Sequence, residues 1–182
     1  MFRNIGKKED YIESLNCGDK LYRVEWDYQP IMSPVLDDEG EVIEGVEEED
    51  KNFASWEQEV FTRKPELEEI KEMIINYYDG KTKNKILTGF AWEGKNGEIV
   101  TPYLSNENQF NYKAGYDLAY QTSGASLPFR LKYGNVTEPQ YYDFTTIQEF
   151  SDFYSKCIEH INSCLQEGWN AKDAIDWDKY LF

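Results

Sequence analysis

The hydrophobic positions along the chain change period near residue 65. From Leu21 they alternate: "LYRVEWDYQPIM" sets Leu21 and Arg23 against Tyr22, Val24 and Trp26, the period of a strand, and Pro30 suits an edge or an end. "PVLDDEGEVIEGV" predicts a hairpin turning at Asp38-Glu39-Gly40 and returning through Val42 and Ile43. "FASWEQEVF" predicts a further strand. Residues 1–20 are polar and weakly periodic, with at most a short helix near Glu9 to Leu15.

After Pro65 the period becomes helical. Leu67, Ile70, Met73, Ile74, Tyr77 and Tyr78 recur at three- and four-residue spacing, Glu66, Glu68 and Glu69 suit a helix N-terminus, and Asp79-Gly80 is the expected stop. "KILTGFAWE" and "GEIVTPYL" then flank Gly94-Lys95-Asn96-Gly97 as a hairpin, with Asn96-Gly97 as the turn. Ser105 is placed to cap a helix reaching about Thr122, which Gly115 weakens. "FRLKYG" and "QYYDFT" predict two short strands. Thr146 and Glu149 form a capping-box pair, and Ile147, Phe150, Phe153, Tyr154, Cys157, Ile158, Ile161 and Leu165 give the cleanest amphipathic helix, expected to end at Gly168. Phe153, Ile158 and Ile161 are expected core residues, and "WNAKDAIDWDKYLF" a short final helix or tail. The fold class that follows is α+β: small antiparallel hairpins packed with two to three amphipathic helices. The expected division is a β-rich N-terminal attachment part over 1–63 and an α+β core domain over 64–182.

Composition adds two facts to this pattern. Of 182 residues, five are Trp, fourteen Tyr and ten Phe, a surplus that often ends at interfaces because Tyr and Trp bury area while keeping a polar tip. The net charge of −16 is concentrated, with nine acids and no Lys or Arg in residues 37–50. No basic stripe exists to neutralise phosphates, which disfavours direct contact with nucleic acid or an anionic membrane. The acidic segment has two readings: solvated hairpin charge that blunts a sheet edge, or an anionic surface, centred on Glu47, Glu48 and Glu49, that occupies a basic partner. The charge pattern alone favours the first.

Chemistry-bearing motifs are scarce. Cys17, Cys157 and Cys164 are too scattered for a disulfide framework, and Cys157 and Cys164, on one helix face about 10 Å apart by helical rise, read as reduced buried thiols. His160, the single histidine, has no ligand-spaced Cys or acid beside it. "DDEG" lacks the alternating acids of a calcium loop. No nucleophile motif or phosphate-cradling glycine loop occurs. The expectation is therefore no catalytic residue, no metal and no cofactor. The N-terminus lacks an apolar signal region and no run reaches membrane-spanning length, so the expected location is the bacterial cytoplasm or a virion.

From about Pro65 to Tyr180 the order of signals resembles a phage-encoded domain of unknown function common in tail-fibre and tail-fibre-assembly proteins. The matching features are "PELEEIKEMIINYYD", "ILTGFAWEGKNGEIVTPYLS", the amide run "NENQFNY" and "TTIQEFSDFYSKCIEHINSCL", with Gly89-Phe90, Gln109 and Asn111 at the family's Gly-Phe and Gln-Asn places. The chain departs from it at "ASLPFRLKYGNVTEPQYYDF", which is longer and more β-like. The resemblance implies a virion structural or tail-assembly role through protein–protein contacts, with other virion or assembly proteins, or further copies of this chain, as partners. It carries over no catalytic residue. Two other functions stand beside it: an acidic inhibitor of a basic host protein, and a carbohydrate-binding module stacking sugars on Trp92, Tyr103 and Tyr112.

Overall fold

The computed structural model describes residues 1–13, 15–18, 21–37 and 39–181, with backbone alone at 15–18 and 96. The expected turn residue Asp38 and the side chains of Cys17 and Asn96 lie outside the described parts. The fold is α+β, and it groups into two compact units. One comprises Met1–Ile75 together with Ile175–Phe182, the other Asn76–Ala174. This grouping places residues 64–75 and 175–182 with the β-rich part.

The β-rich unit is one antiparallel sheet in the order β1-β4-β3-β2, from β1 (Phe2–Lys7), β2 (Leu15–Gly18), β3 (Leu21–Leu36) and β4 (Val42–Phe61). The expected Glu9–Leu15 helix is absent. A 3₁₀ turn at Lys8–Asp10 stands there instead, between two strands that the polar N-terminal sequence did not signal. Arg3 anchors β1, donating to Glu57 at 2.9 Å and Asp27 at 3.3 Å. Val24, Trp26, Ala54, Trp56, Ile70, Ile74 and Tyr180 are buried here. Tyr180, in the 3₁₀ turn Trp177–Tyr180, donates its hydroxyl to the Glu25 carbonyl at 3.1 Å. At the hairpin tip, Asp37 Oδ1 accepts the N–H groups of Glu39 and Glu41, each at 2.9 Å, where the sequence places the turn.

Helix α1 spans Leu67–Thr88 and runs through Gly80. A glycine in mid-helix costs about 1 kcal/mol against alanine without forcing a stop. The stop is Gly89, whose φ of +73° carries the chain into the left-handed region while its N–H bonds the Ile86 carbonyl. The following hairpin is correspondingly short. Trp92–Glu93 (β5) pairs with Ile99–Val100 (β6), and the loop between them holds a 3₁₀ turn at Lys95–Gly97 rather than a two-residue Asn-Gly turn.

Helix α2 (Asn106–Gln121) begins as expected, with Ser105 Oγ accepting the Asn108 N–H at 3.2 Å. Strands β7 (Phe129–Gly134) and β8 (Pro139–Phe144) pair in register. Helix α3 (Ile147–Asp173) is capped by Thr146, which accepts the Glu149 N–H at 3.3 Å. It continues past Gly168. A Cβ there would collide with Thr82 Oγ1, so this glycine permits close approach of α1 and α3 instead of ending a helix.

The core of this second unit is aromatic. Trp92, Tyr112, Phe144, Phe150 and Phe153 are all buried, and the Phe144 and Phe150 rings stack at 4.7 Å. Much of the aromatic surplus is thus spent on cores, with Trp26 and Trp56 likewise buried in the β-rich unit. Tyr103, Phe110, Tyr120, Tyr141 and Trp169 remain exposed.

Candidate functional site

Helix α3 carries two apolar stripes. Phe150, Phe153, Cys157, Cys164 and Gly168 are buried, whereas Ile158, Ile161, Leu165 and Trp169, at spacings of three, four and four, form a neighbouring row that is only half-buried or exposed. The sequence reading merged them into one core face. Phe153 is fully buried, as expected, and Ile161 packs against the core from its edge. Ile158 is 40% exposed, which corrects its assignment to the core.

Ile161, Leu165 and Trp169 of this second stripe form one wall of an open groove of about 810 Å³ inside the helical unit, and Ile158 lies outside its lining. Thr82, Lys83, Ile86 and Leu87 of α1 form the facing wall, and residues 103–107 with Gln109 close one end. Trp169 and Tyr103 are exposed members of its lining, which also holds the ion-paired Lys172 and Asp79. A smaller depression of about 340 Å³, lined by Phe110, Tyr154 and Ile158, adjoins it through the shared residues Asn106, Gln109 and Ile161. Phe110 is 71% exposed. Exposed apolar side chains that converge on a depression mark a binding surface more often than scattered ones do.

The amide run is the groove's scaffold. Asn108 Nδ2 donates to the Tyr103 carbonyl and Gln109 Nε2 to the Leu104 carbonyl, each at 2.8 Å, so the loop that presents Tyr103 is pinned to the first turn of α2. Gln109 therefore serves the site by positioning.

The structure separates the remaining expected site residues. Trp92 is buried and donates its indole N–H to Asp152 Oδ2 at 2.8 Å, and Tyr112 is buried against Phe153. Neither presents a ring to solvent, so the expected sugar-stacking platform with Tyr103 does not form. Their burial follows from the short hairpin and the first apolar stripe, which draw both rings into the core. Glu47, Glu48 and Glu49 lie in the other unit, exposed on β4, with Glu49 paired to Lys8.

Burial pushes the Cys157 thiol up to about 12, which keeps it protonated at neutral pH. The Cys164 sulfur lies 3.6 Å from His160 Nε2, a pair the sequence reading did not single out. Burial raises this thiol as well, and His160 is also 3.3 Å from the Lys85 carbonyl, with its ring packed on Phe90. The pair is a sulfur–imidazole hydrogen bond to a thiol whose burial favours the protonated form. Among the described residues no group of three or more His, Cys, Asp or Glu side chains is placed to hold a metal ion, and no helix is long and apolar enough to cross a membrane.

Compared with known proteins, the chain matches no protein-family model, no curated protein and no solved structure. The likeness to the phage domain rests on the residues quoted for it.

The groove residues missed from sequence are Trp169, Leu165, Ile86 and Thr82. A signal for them exists: the apolar positions of α3 span a wider arc than one core contact fills, and Trp169 extends the row past the glycine taken as a stop.

Proposed function

We propose that this protein is a non-catalytic structural or assembly component of a phage virion, acting through protein–protein contacts made at the α1–α3 groove. The observation that carries the reading is the second apolar stripe of α3, whose Ile161, Leu165 and Trp169 line an open groove in which Trp169 and Tyr103 are exposed. Trp and Tyr are the side chains that most often dominate binding energy at protein interfaces, since they bury large areas with few rotatable bonds. The phage assignment is supported by the family resemblance, and the partners it names are other virion or assembly proteins.

A photoreactive phenylalanine analogue placed at position 169 tests the reading, with the full chain co-expressed with the proteins encoded beside it. The expected result is one dominant crosslinked protein from position 169 and none from a control at the exposed Gln140 on β8. Equal, diffuse labelling from both positions contradicts it. Light scattering on the purified chain then tells whether the crosslinked partner is a second copy.

A further inference from the structure

Beyond Met32 and Glu49, strands β3 and β4 leave the sheet and pair only with each other. β1 ends opposite Phe53 and β2 opposite Leu21–Val24, so this arm has no neighbouring strand on either side among the described residues. By strand rise it extends about 20 Å from Met32 to the tip. Every described residue from 39 to 49 is exposed.

Two features argue against simple solvated charge. First, the arm displays large apolar side chains that contribute to no core: Met32, Leu36, Val42, Ile43 and Val46 are all exposed. Second, the pairing orders them. Cross-strand partners share a face: Met32 and Pro34 stand opposite Glu49 and Glu47, and beyond a register irregularity Leu36 stands opposite Val42, so apolar side chains of β3 lie beside acids at the base of the arm and beside an apolar partner near its tip. A two-stranded ribbon of this kind is marginal alone and gains most by docking. Some acids have structural duties: Asp37 closes the tip, Glu49 holds Lys8, and Asp50 accepts the Asn52 and Phe53 N–H groups at 2.8 Å. Glu41, Glu44, Glu47 and Glu48 make no ion pair among the described residues.

We infer that this β-arm is a second docking element, which inserts into a partner protein bearing an apolar strip flanked by Lys and Arg side chains. The inference rests on the reading of the protein as one that acts through protein contacts, but it uses a different surface. Charge selects the partner. The arm carries acids and no base in a chain of net charge −16, so the arm of a second copy is repelled and a basic surface is steered in. The apolar side chains then supply what charge alone cannot, a contact that survives salt.

The test uses the full chain and a synthetic amphipathic peptide whose Leu face is flanked by Lys, with a Lys/Ser peptide of equal charge as control, both followed by fluorescence anisotropy. The Leu/Lys peptide is expected to bind at least about tenfold more tightly than the control. The combined change Glu41→Gln, Glu44→Gln, Glu47→Gln and Glu48→Gln should weaken it at least about tenfold and flatten its salt dependence. Met32→Ser with Leu36→Ser should weaken it comparably while leaving the salt dependence in place. All six positions are exposed, so thermal melts of both variants should match the parent. Equal affinity across parent and variants overturns the inference, as does equal binding of the two peptides, which would mean bare charge attraction. A dimer of the full chain that the arm variants dissociate overturns it in favour of a second copy. Loss of binding in Trp169→Ala alone assigns the peptide to the groove, which overturns the arm and leaves the proposed function standing.

Discussion

Phe153 and Ile158 lie on the same helix and have opposite fates, and the difference is measurable. Phe153 is fully buried among Trp92, Tyr112 and Phe144, so Phe153→Ala should cost about 3–5 kcal/mol. Ile158→Ala, at an exposed position, should stay within about ±0.5 kcal/mol. Urea titrations of both variants check this, and similar losses at the two positions would contradict the division of α3 into a buried stripe and a more exposed one. A second residue-level consequence concerns pH. Burial raises Cys157 from 9.0 and Tyr112 from 10.0, each to about 12. The unfolded chain releases these protons first, so the stability they contribute is fully present below about pH 9 and is lost as pH rises through 12. Tyr112→Phe should shallow this alkaline decline, and an unchanged slope in thermal melts across that range would speak against it. Sequence alone could not separate these neighbours. Ile158 is as apolar as the core residues beside it, and only the positions of α1 and α2 decide which stripe is covered.

Among the elements, helix starts were legible, and so was the end of α2 near Thr122, but the ends of α1 and α3 were not. Ser105 and Thr146 cap as their spacing implies, because a cap is a local hydrogen bond between residues three apart. Gly80 and Gly168 look like stops, yet a glycine ends a helix only where the backbone turns left-handed, as at Gly89. What Gly168 does depends on Thr82, far away in sequence. Gly168→Ala should therefore destabilise by about 1–3 kcal/mol through overpacking, and Thr82→Ala in the same chain should recover part of that loss. Gly80→Ala, with nothing within 4 Å of the new Cβ, should instead stabilise α1 by about 0.5–1 kcal/mol. Chemical denaturation of the three variants and the double variant checks the set. A destabilised Gly80→Ala, or strict additivity of Gly168→Ala and Thr82→Ala, would contradict these roles.

For the whole molecule, the α+β class and most hairpins follow from residue patterns, but the grouping of elements does not. Nothing in "WNAKDAIDWDKYLF" announces that Tyr180 belongs with a sheet formed by the first third of the chain, since the hydrogen bond from its hydroxyl to the Glu25 carbonyl joins residues 155 positions apart. Tyr180→Ala should cost the β-rich unit about 3–5 kcal/mol. Amide exchange should then quicken in β1, β3 and β4 while α2 and the core stripe of α3 keep their protection. Uniform loss across both units would contradict the assignment of the C-terminal residues to the sheet. The groove was equally hidden, because its walls come from three segments whose apolar residues each look like ordinary core.

If binding energy is concentrated at the α1–α3 groove, it is read in the affinity of Trp169→Ala for the protein crosslinked from that position. With circular dichroism unchanged, calorimetry should show affinity at least about tenfold weaker than the parent, equivalent to about 1.4 kcal/mol. An affinity equal to that of the parent protein would contradict it.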